Sequence, residues 1–279
     1  MKRLLTIELQ KLWSNRASRV LILTYFILLS FIALLASVNF KIIGIDFRLA
    51  DQGIFNFPYI WHFNTYIAAI LKFFLAIVIV SMMANEYTYG TLKQNLIDGL
   101  SKEEFILSKF FTVILFALAS TVFIFIMSLL LGYGFSSYTE SSIVFSDLEY
   151  IGAYFLKIAA FFSFCLFLGI LIKRSAFAIG FIFVWFIIEK IIQGILRWQV
   201  FSSSEAVDKV IQFLPLESMS NLIKEPFTRF QAYQAIENQV SGTVAVKDYG
   251  VHWYQVVIVI LWSIIFLLSS YKILKKRDL

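Results

Sequence analysis

The chain reads as an all-α polytopic membrane protein, and three observations lead there. Its residues are 60% hydrophobic and only 15% charged, against about 45–50% and about 25% in soluble domains. The mean hydropathy is +0.81, an apolar excess that a water-soluble fold of 279 residues has no interior to hold. The apolar residues also come in runs of membrane-spanning length, with cations gathered at the ends of the runs.

A helix crossing hydrocarbon needs about 20 mostly apolar residues and satisfies its backbone polar groups internally. Six segments qualify as spans: 20–40, 66–84, 110–133, 150–172, 176–196 and 254–271. The first is too long for a signal peptide, and "LLASVN" offers no small-residue cleavage site. The fifth is interrupted by Glu189 and Lys190. All three prolines, Pro58, Pro215 and Pro226, fall between runs, where a helix breaker is harmless.

Cation counts then orient the chain. Lys2, Arg3, Lys11, Arg16 and Arg19 precede the first run, three cations follow the second, Lys173 and Arg174 follow the fourth, and four follow the last. Those fourteen oppose only Lys41 and Arg48 in the short segments of the other side. The positive-inside rule therefore expects a multi-pass protein of the cell membrane with both termini cytoplasmic.

Two segments outside the runs have helical patterns. In residues 1–19, Leu5, Leu9, Leu12 and Trp13 share one helical face among cations, which predicts an amphipathic helix lying on the inner leaflet. Residues 197–253 read as an extracytoplasmic helical segment. "SSSEAVDKVIQFLP" predicts a helix capped by Ser204 and stopped at Pro215, and "TRFQAYQAIENQV" predicts a second helix.

Several chemistries are excluded. None of the twelve glycines precedes a lysine, so the chain has no phosphate-cradling P-loop. There is no H-E-x-x-H and no G-x-S-x-G. His62 and His252, each beside a tryptophan, are too few to make a metal site. Cys165 is alone, so no intrachain disulfide forms. The net charge of +6 sits at run boundaries, which argues for membrane and against nucleic acid. The chain is not expected to be an enzyme.

Four charges lie inside predicted spans: Lys72, Lys157, Glu189 and Lys190. Each sits about seven residues from the outer end of its span, so all share one level. Charges there are costly and need a use. Two readings are open. Glu189 neutralises a lysine across helices as a structural tie, or the excess positive charge lines a hydrated outward vestibule for an anionic or amphiphilic substrate.

The loop 85–109 is dense in signals. Thr91-x-x-Gln94 has the capping-box pattern, Asp98–Gly99 supplies a stop, and Ser101-x-x-Glu104 is a second capping box. Between them lie about two helical turns, too few to stand alone in water. A partner is therefore expected to hold this helix, through Leu92, Leu96 and Asp98.

An amphipathic start, six spans, and an inner loop reading Glu86, Gly90-Thr91-Leu92, Ser101-Lys102 and Lys109 together resemble the type 2 class of ABC transporter permeases. The likeness covers essentially the whole chain. Gly99 stands where that family often has a proline nearby, which leaves the turn geometry open. The resemblance implies the membrane subunit of an ATP-driven exporter. Glu86, Gly90, Thr91, Leu92, Asn95, Leu96, Asp98, Ser101 and Lys102 would couple to the ATPase, and residues 1–19 would form an elbow helix. It also implies two separate ATP-binding subunits that hold ATP and Mg, and a second copy of this chain or a related permease. Small-residue pairs Ala33/Ser37 and Ala176/Gly180 would pack helices closely, at a dimer seam or within one subunit. Two other functions stay open: an ion-coupled secondary transporter, which usually shows broken spans, and a non-transporting anchor or sensor.

Overall fold

The computed structural model describes residues 2–38, 40–42, 45–47, 50, 53–200, 204–229 and 248–277. The N-terminal helix α1 (Lys2–Ser14) ends where Asn15 caps the next helix, its Oδ1 accepting from the N–H groups of Ala17 and Ser18. Helix α2 (Arg16–Ser37) thus begins four residues before the predicted span. A short antiparallel ribbon follows, β1 (Phe40–Ile42) paired with β2 (Ile45–Phe47) in the register Phe40↔Phe47. This strand pair departs from the all-α expectation, and its alternating Phe-Lys-Ile and Ile-Asp-Phe are strand-like in composition. Arg48 lies outside the described residues.

The predicted second span is broken in two. Helices α3 (Tyr59–Leu71) and α4 (Phe73–Thr88) meet at Lys72 with a bend of 44°. The bend has neither proline nor glycine, and Lys72 keeps right-handed helical dihedrals of −52° and −23°. The short α5 (Thr91–Ile97) leads into α6 (Lys102–Phe135), which starts at a complete Ser101/Glu104 capping box. After α7 (Ser141–Val144), helix α8 (Glu149–Ile172) forms the centre of the bundle. The apolar window of this stretch is 72% buried, against 17% for α9 (Ser175–Ile195) and for α12 (Trp253–Lys276), which stand at the periphery.

Between α9 and α12 lie α10 (Ser204–Ile211) and α11 (Pro215–Asn221). Pro215 opens α11 at its first helical position instead of stopping the preceding helix; α10 has already ended at Ile211. Of the second predicted outer helix, only a 3₁₀ turn at Phe227–Arg229 is seen, and residues 230–240 lie outside the described residues.

Among the described residues, five helices are long and apolar enough to cross a membrane, and the bent α3–α4 pair passes the same test taken together. The chain is a helical membrane protein. Polar ties also join the bundle: the hydroxyls of Tyr25, Ser120 and Tyr154 bond one another at 2.6–2.7 Å, linking α2, α6 and α8. Glycine is required where backbones approach. A Cβ at Gly169 would lie 3.0 Å from Met83 Cβ and 3.3 Å from the Val80 carbonyl, which sets the α4–α8 distance. One at Gly132 would lie 2.1 Å from the buried Phe57 ring. Ala33 is buried within the chain, but Ala176 and Gly180 face outward on α9 with open space at Gly180, so that pair does not pack inside this subunit.

Contacts sort the helix ends into two faces. The terminal face gathers α1, α5, the ends of α4, α8 and α12, and the start of α6. The opposite face carries α11 and the starts of α3, α8 and α12.

Candidate functional site

At the terminal face, four charged side chains from three helices close into one cluster. Lys109 of α6 is fully buried, and its Nζ donates to Glu8 Oε2 at 2.5 Å and to Glu86 Oε1 at 2.6 Å. Lys11 joins from the rim, 3.0 Å from Glu86 and 3.5 Å from Glu8. Two carboxylates thus face two ammonium groups, which is the pairing a low-dielectric site demands. Burial alone would lower Lys11, but the carboxylates of Glu8 and Glu86 outweigh it and raise its pKa above the ordinary lysine range. Buried Leu12 and partly buried Leu5 and Leu9 complete the contact, leaving Trp13 of the predicted apolar face 53% exposed. The N-terminal helix is therefore docked on the bundle through an acidic residue as well as its leucines.

The cluster reaches α5 through Thr91, whose hydroxyl donates to the second Glu86 oxygen at 2.5 Å. This corrects the predicted first capping box: the N-cap is Gly90, at φ +69°, with no side-chain cap bond, and the Thr91 hydroxyl is spent on Glu86. No atom crowds Gly90, so its requirement is for the left-handed backbone alone. The C-terminal end is a Schellman turn. Gly99, at φ +96°, donates to the Leu96 carbonyl and Leu100 to that of Asn95.

A further correction concerns the helix's outward face. Leu92 is 2% exposed and Leu96 packs partly buried against the core, so both hold α5 to its own chain. The residues left outside are Tyr89 and Ile97, 73% and 75% exposed, with Lys93, Gln94 and Asp98 beside them. Of the predicted coupling residues, Glu86, Gly90, Thr91, Leu92, Asn95, Leu96 and Ser101 build the helix and its anchorage, and Asp98 lies on the free surface. Lys102 turns to the C-terminus, donating to the carbonyls of Lys275 and Arg277. Arg277 in turn donates to Tyr87 Oη and to the Ile170 and Leu171 carbonyls at the end of α8.

The four intramembrane charges do converge, on one cavity of about 520 Å³ between α3, α4, α8, α9 and α11. Three of them are occupied in docking α11. Glu189 accepts from Leu216 and Glu217 N–H, at 3.0 and 2.9 Å, and from Trp185 Nε1 at 2.8 Å. Lys157 donates to the Ser220 and Ile223 carbonyls at 3.3 and 3.2 Å. Lys190 pairs with Glu217 at 2.9 Å. Glu189 therefore does not neutralise a lysine across helices; backbone N–H groups at the start of α11 take that role. Lys72 is different. Its ammonium lies 4.3 Å from the Phe161 ring centroid, and among the described residues it has neither carboxylate nor hydrogen-bond partner.

On the opposite face, His62 stacks on Tyr150 with centroids 4.3 Å apart. Its Nδ1 accepts from Arg229 and its Nε2 donates to the Lys224 carbonyl, so the ring is a fastening for the outer segment.

The sequence did not single out Glu8 or Glu217, and it presented Lys11, Lys109 and Arg277 as boundary cations. A signal existed for the first: Glu8 is three residues after Leu5 and four before Leu12, on the apolar stripe itself. Lys109, four residues from both Phe105 and Val113, holds the matching place on α6.

A family model described as "Protein of unknown function (DUF2705)" matches residues 31–279. The Uncharacterized protein YhcI of Bacillus subtilis (strain 168) is 41% identical over 59 residues. That alignment covers 21% of this chain and 19% of the relative's length.

Proposed function

We propose that this chain, which belongs to the DUF2705 family of proteins of unknown function, is the membrane subunit of an ATP-driven exporter. The observation that carries the reading is α5, a two-turn helix fastened to the bundle by Leu92 and the buried ion cluster, with Tyr89 and Ile97 turned outward. Large side chains exposed beside Lys93 and Asp98 suit a partner that presses on this surface and mixes apolar and charged contacts. In this reading the terminal face is cytoplasmic in the cell membrane, as the cation bias expects. The α3–α4 pair counts as one bent span of six. Two ATP-binding subunits hold ATP and Mg, and a second copy or a related permease completes the complex.

The same geometry supports a way to transmit force. A push on α5 reaches Glu86 through Thr91, and Glu86 shares Lys109 with Glu8. The elbow helix α1 and the long α6 then move with α4, whose far end is the bend at Lys72. Purification of the tagged chain from membranes tests this. A nucleotide-hydrolysing partner accompanies the native chain and is lost from Ile97→Asp.

One observation favours a second reading. The α3–α4 pair is bent at Lys72, and broken spans are a feature of ion-coupled transporters. Substrate uptake driven by an ion gradient, with no ATPase attached, would select it.

A further inference from the structure

The cavity around Lys72 combines two chemistries. Its walls are aromatic and aliphatic, with Phe73, Phe161, Phe183 and Phe186 among the lining residues. Phe183 and Phe186 are 53% and 50% exposed, which places the mouth on the apolar flank of the bundle. Inside, the charges do not balance. Lys72, Lys157 and Lys190 face Glu189 and Glu217, an excess of one positive charge. Lys190 and Glu217 neutralise each other, Glu189 is held by N–H groups, and the Lys157 ammonium is held by carbonyls. Lys72 alone keeps its hydrogen-bonding capacity free among the described residues, with the Phe161 and Phe73 ring centroids 4.3 and 6.0 Å from its ammonium. Aromatic faces offset only part of a cation's desolvation, less than a charge at membrane depth costs. A volume of about 520 Å³ is that of a small-ligand site.

We propose that this cavity binds an anionic amphiphile, its single negative head on the Lys72 ammonium and its chain along Phe183 and Phe186 toward the membrane. Lys72 demands a counter-charge that the cavity does not supply, and the apolar mouth demands a tail, so neither a neutral lipid nor a water-soluble anion meets both demands. That this amphiphile is the passenger rests on the exporter reading; that it binds does not.

The test uses the purified full chain in uncharged detergent with a dansyl-labelled fatty acid, its uncharged methyl ester as the control probe, and fluorescence as the readout. The acid is expected to bind at least about tenfold tighter than the ester, the factor that one charge-assisted contact supplies. Lys72→Met reduces the acid to the level of the ester, while Lys72→Arg, which keeps the charge and reports correct folding, retains the preference. Equal binding of acid and ester, or an unchanged preference in Lys72→Met, overturns the site. With the partner ATPase bound, the acid is expected to stimulate ATP hydrolysis by the native complex. Selective binding without stimulation overturns the passenger role. Failure to isolate any ATPase complex defeats the exporter reading and leaves the binding result standing.

Discussion

Replacing Lys109 with methionine removes the fully buried one of the two cations that two buried carboxylates share, and the cost follows from the geometry. Glu8 and Glu86 oxygens lie within 2.6 Å of the same nitrogen, so they stand no more than about 5 Å apart. Two like charges at that distance repel by roughly 3 kcal/mol at an effective dielectric constant of about 20. Removing one member of a buried pair costs about 3–5 kcal/mol in general. Lys11 offsets little, since its side chain is 40% exposed and already engaged. At roughly 2–4 °C per kcal/mol for a chain of this order, Lys109→Met lowers the midpoint of thermal unfolding by about 6–20 °C. Scanning fluorimetry of the detergent-solubilised chain measures it. The double variant Lys109→Met/Glu86→Gln removes the repulsion and recovers a good part of the loss. A single-variant shift under about 3 °C, or a double variant no better than the single, would refute the cluster as the anchor of α1 and α5.

The other predictions are local. Ser101→Ala removes the hydroxyl that caps α6 and costs about 1 kcal/mol, read as a proportionate fall in the same unfolding midpoint. Gly132→Ala drives a Cβ into the buried Phe57 ring and costs about 1–3 kcal/mol. Gly134→Ala, in open space two residues on, leaves the midpoint unchanged or slightly raised. Glu189→Leu strips the acceptor from Leu216 and Glu217 N–H, so hydrogen exchange at those two amides accelerates while that of α8 does not. Leu92→Asp, at a buried position, lowers the amount of folded chain, whereas Ile97→Asp, at a 75% exposed one, leaves folding intact; detergent-phase size exclusion separates the two.

The membrane class and the long apolar helices were legible because apolar runs of spanning length have few alternatives. Five of them correspond to single helices. The Ser101 capping box was equally legible, since its two reciprocal bonds are local in sequence. The bend at Lys72 was hidden: no proline or glycine marks it, and an apolar run reads the same whether straight or broken. Thr91 misled because its capping pattern competes with a carboxylate five residues back that only the fold brings within reach. Leu92 was expected on the partner's side because a two-turn helix needs support. The support comes from the chain's own bundle, so the free face is the other one. The four charges expected at one level line one cavity. Their pairing was not readable, because the groups that hold Glu189 and Lys157 are backbone amides and carbonyls of α11 and the turn after it, which carry no sequence signature.

The central claim is that ATP hydrolysed on a separate subunit drives this chain through α5. ATP hydrolysis by the complex purified through a tag on the chain, native against Ile97→Asp at equal membrane abundance, tests it most directly. A P-loop partner and hydrolysis are expected with the native chain, and both are expected to be lost from Ile97→Asp. A chain that purifies alone and takes up substrate on an ion gradient, or an Ile97→Asp complex with full hydrolysis, would contradict it.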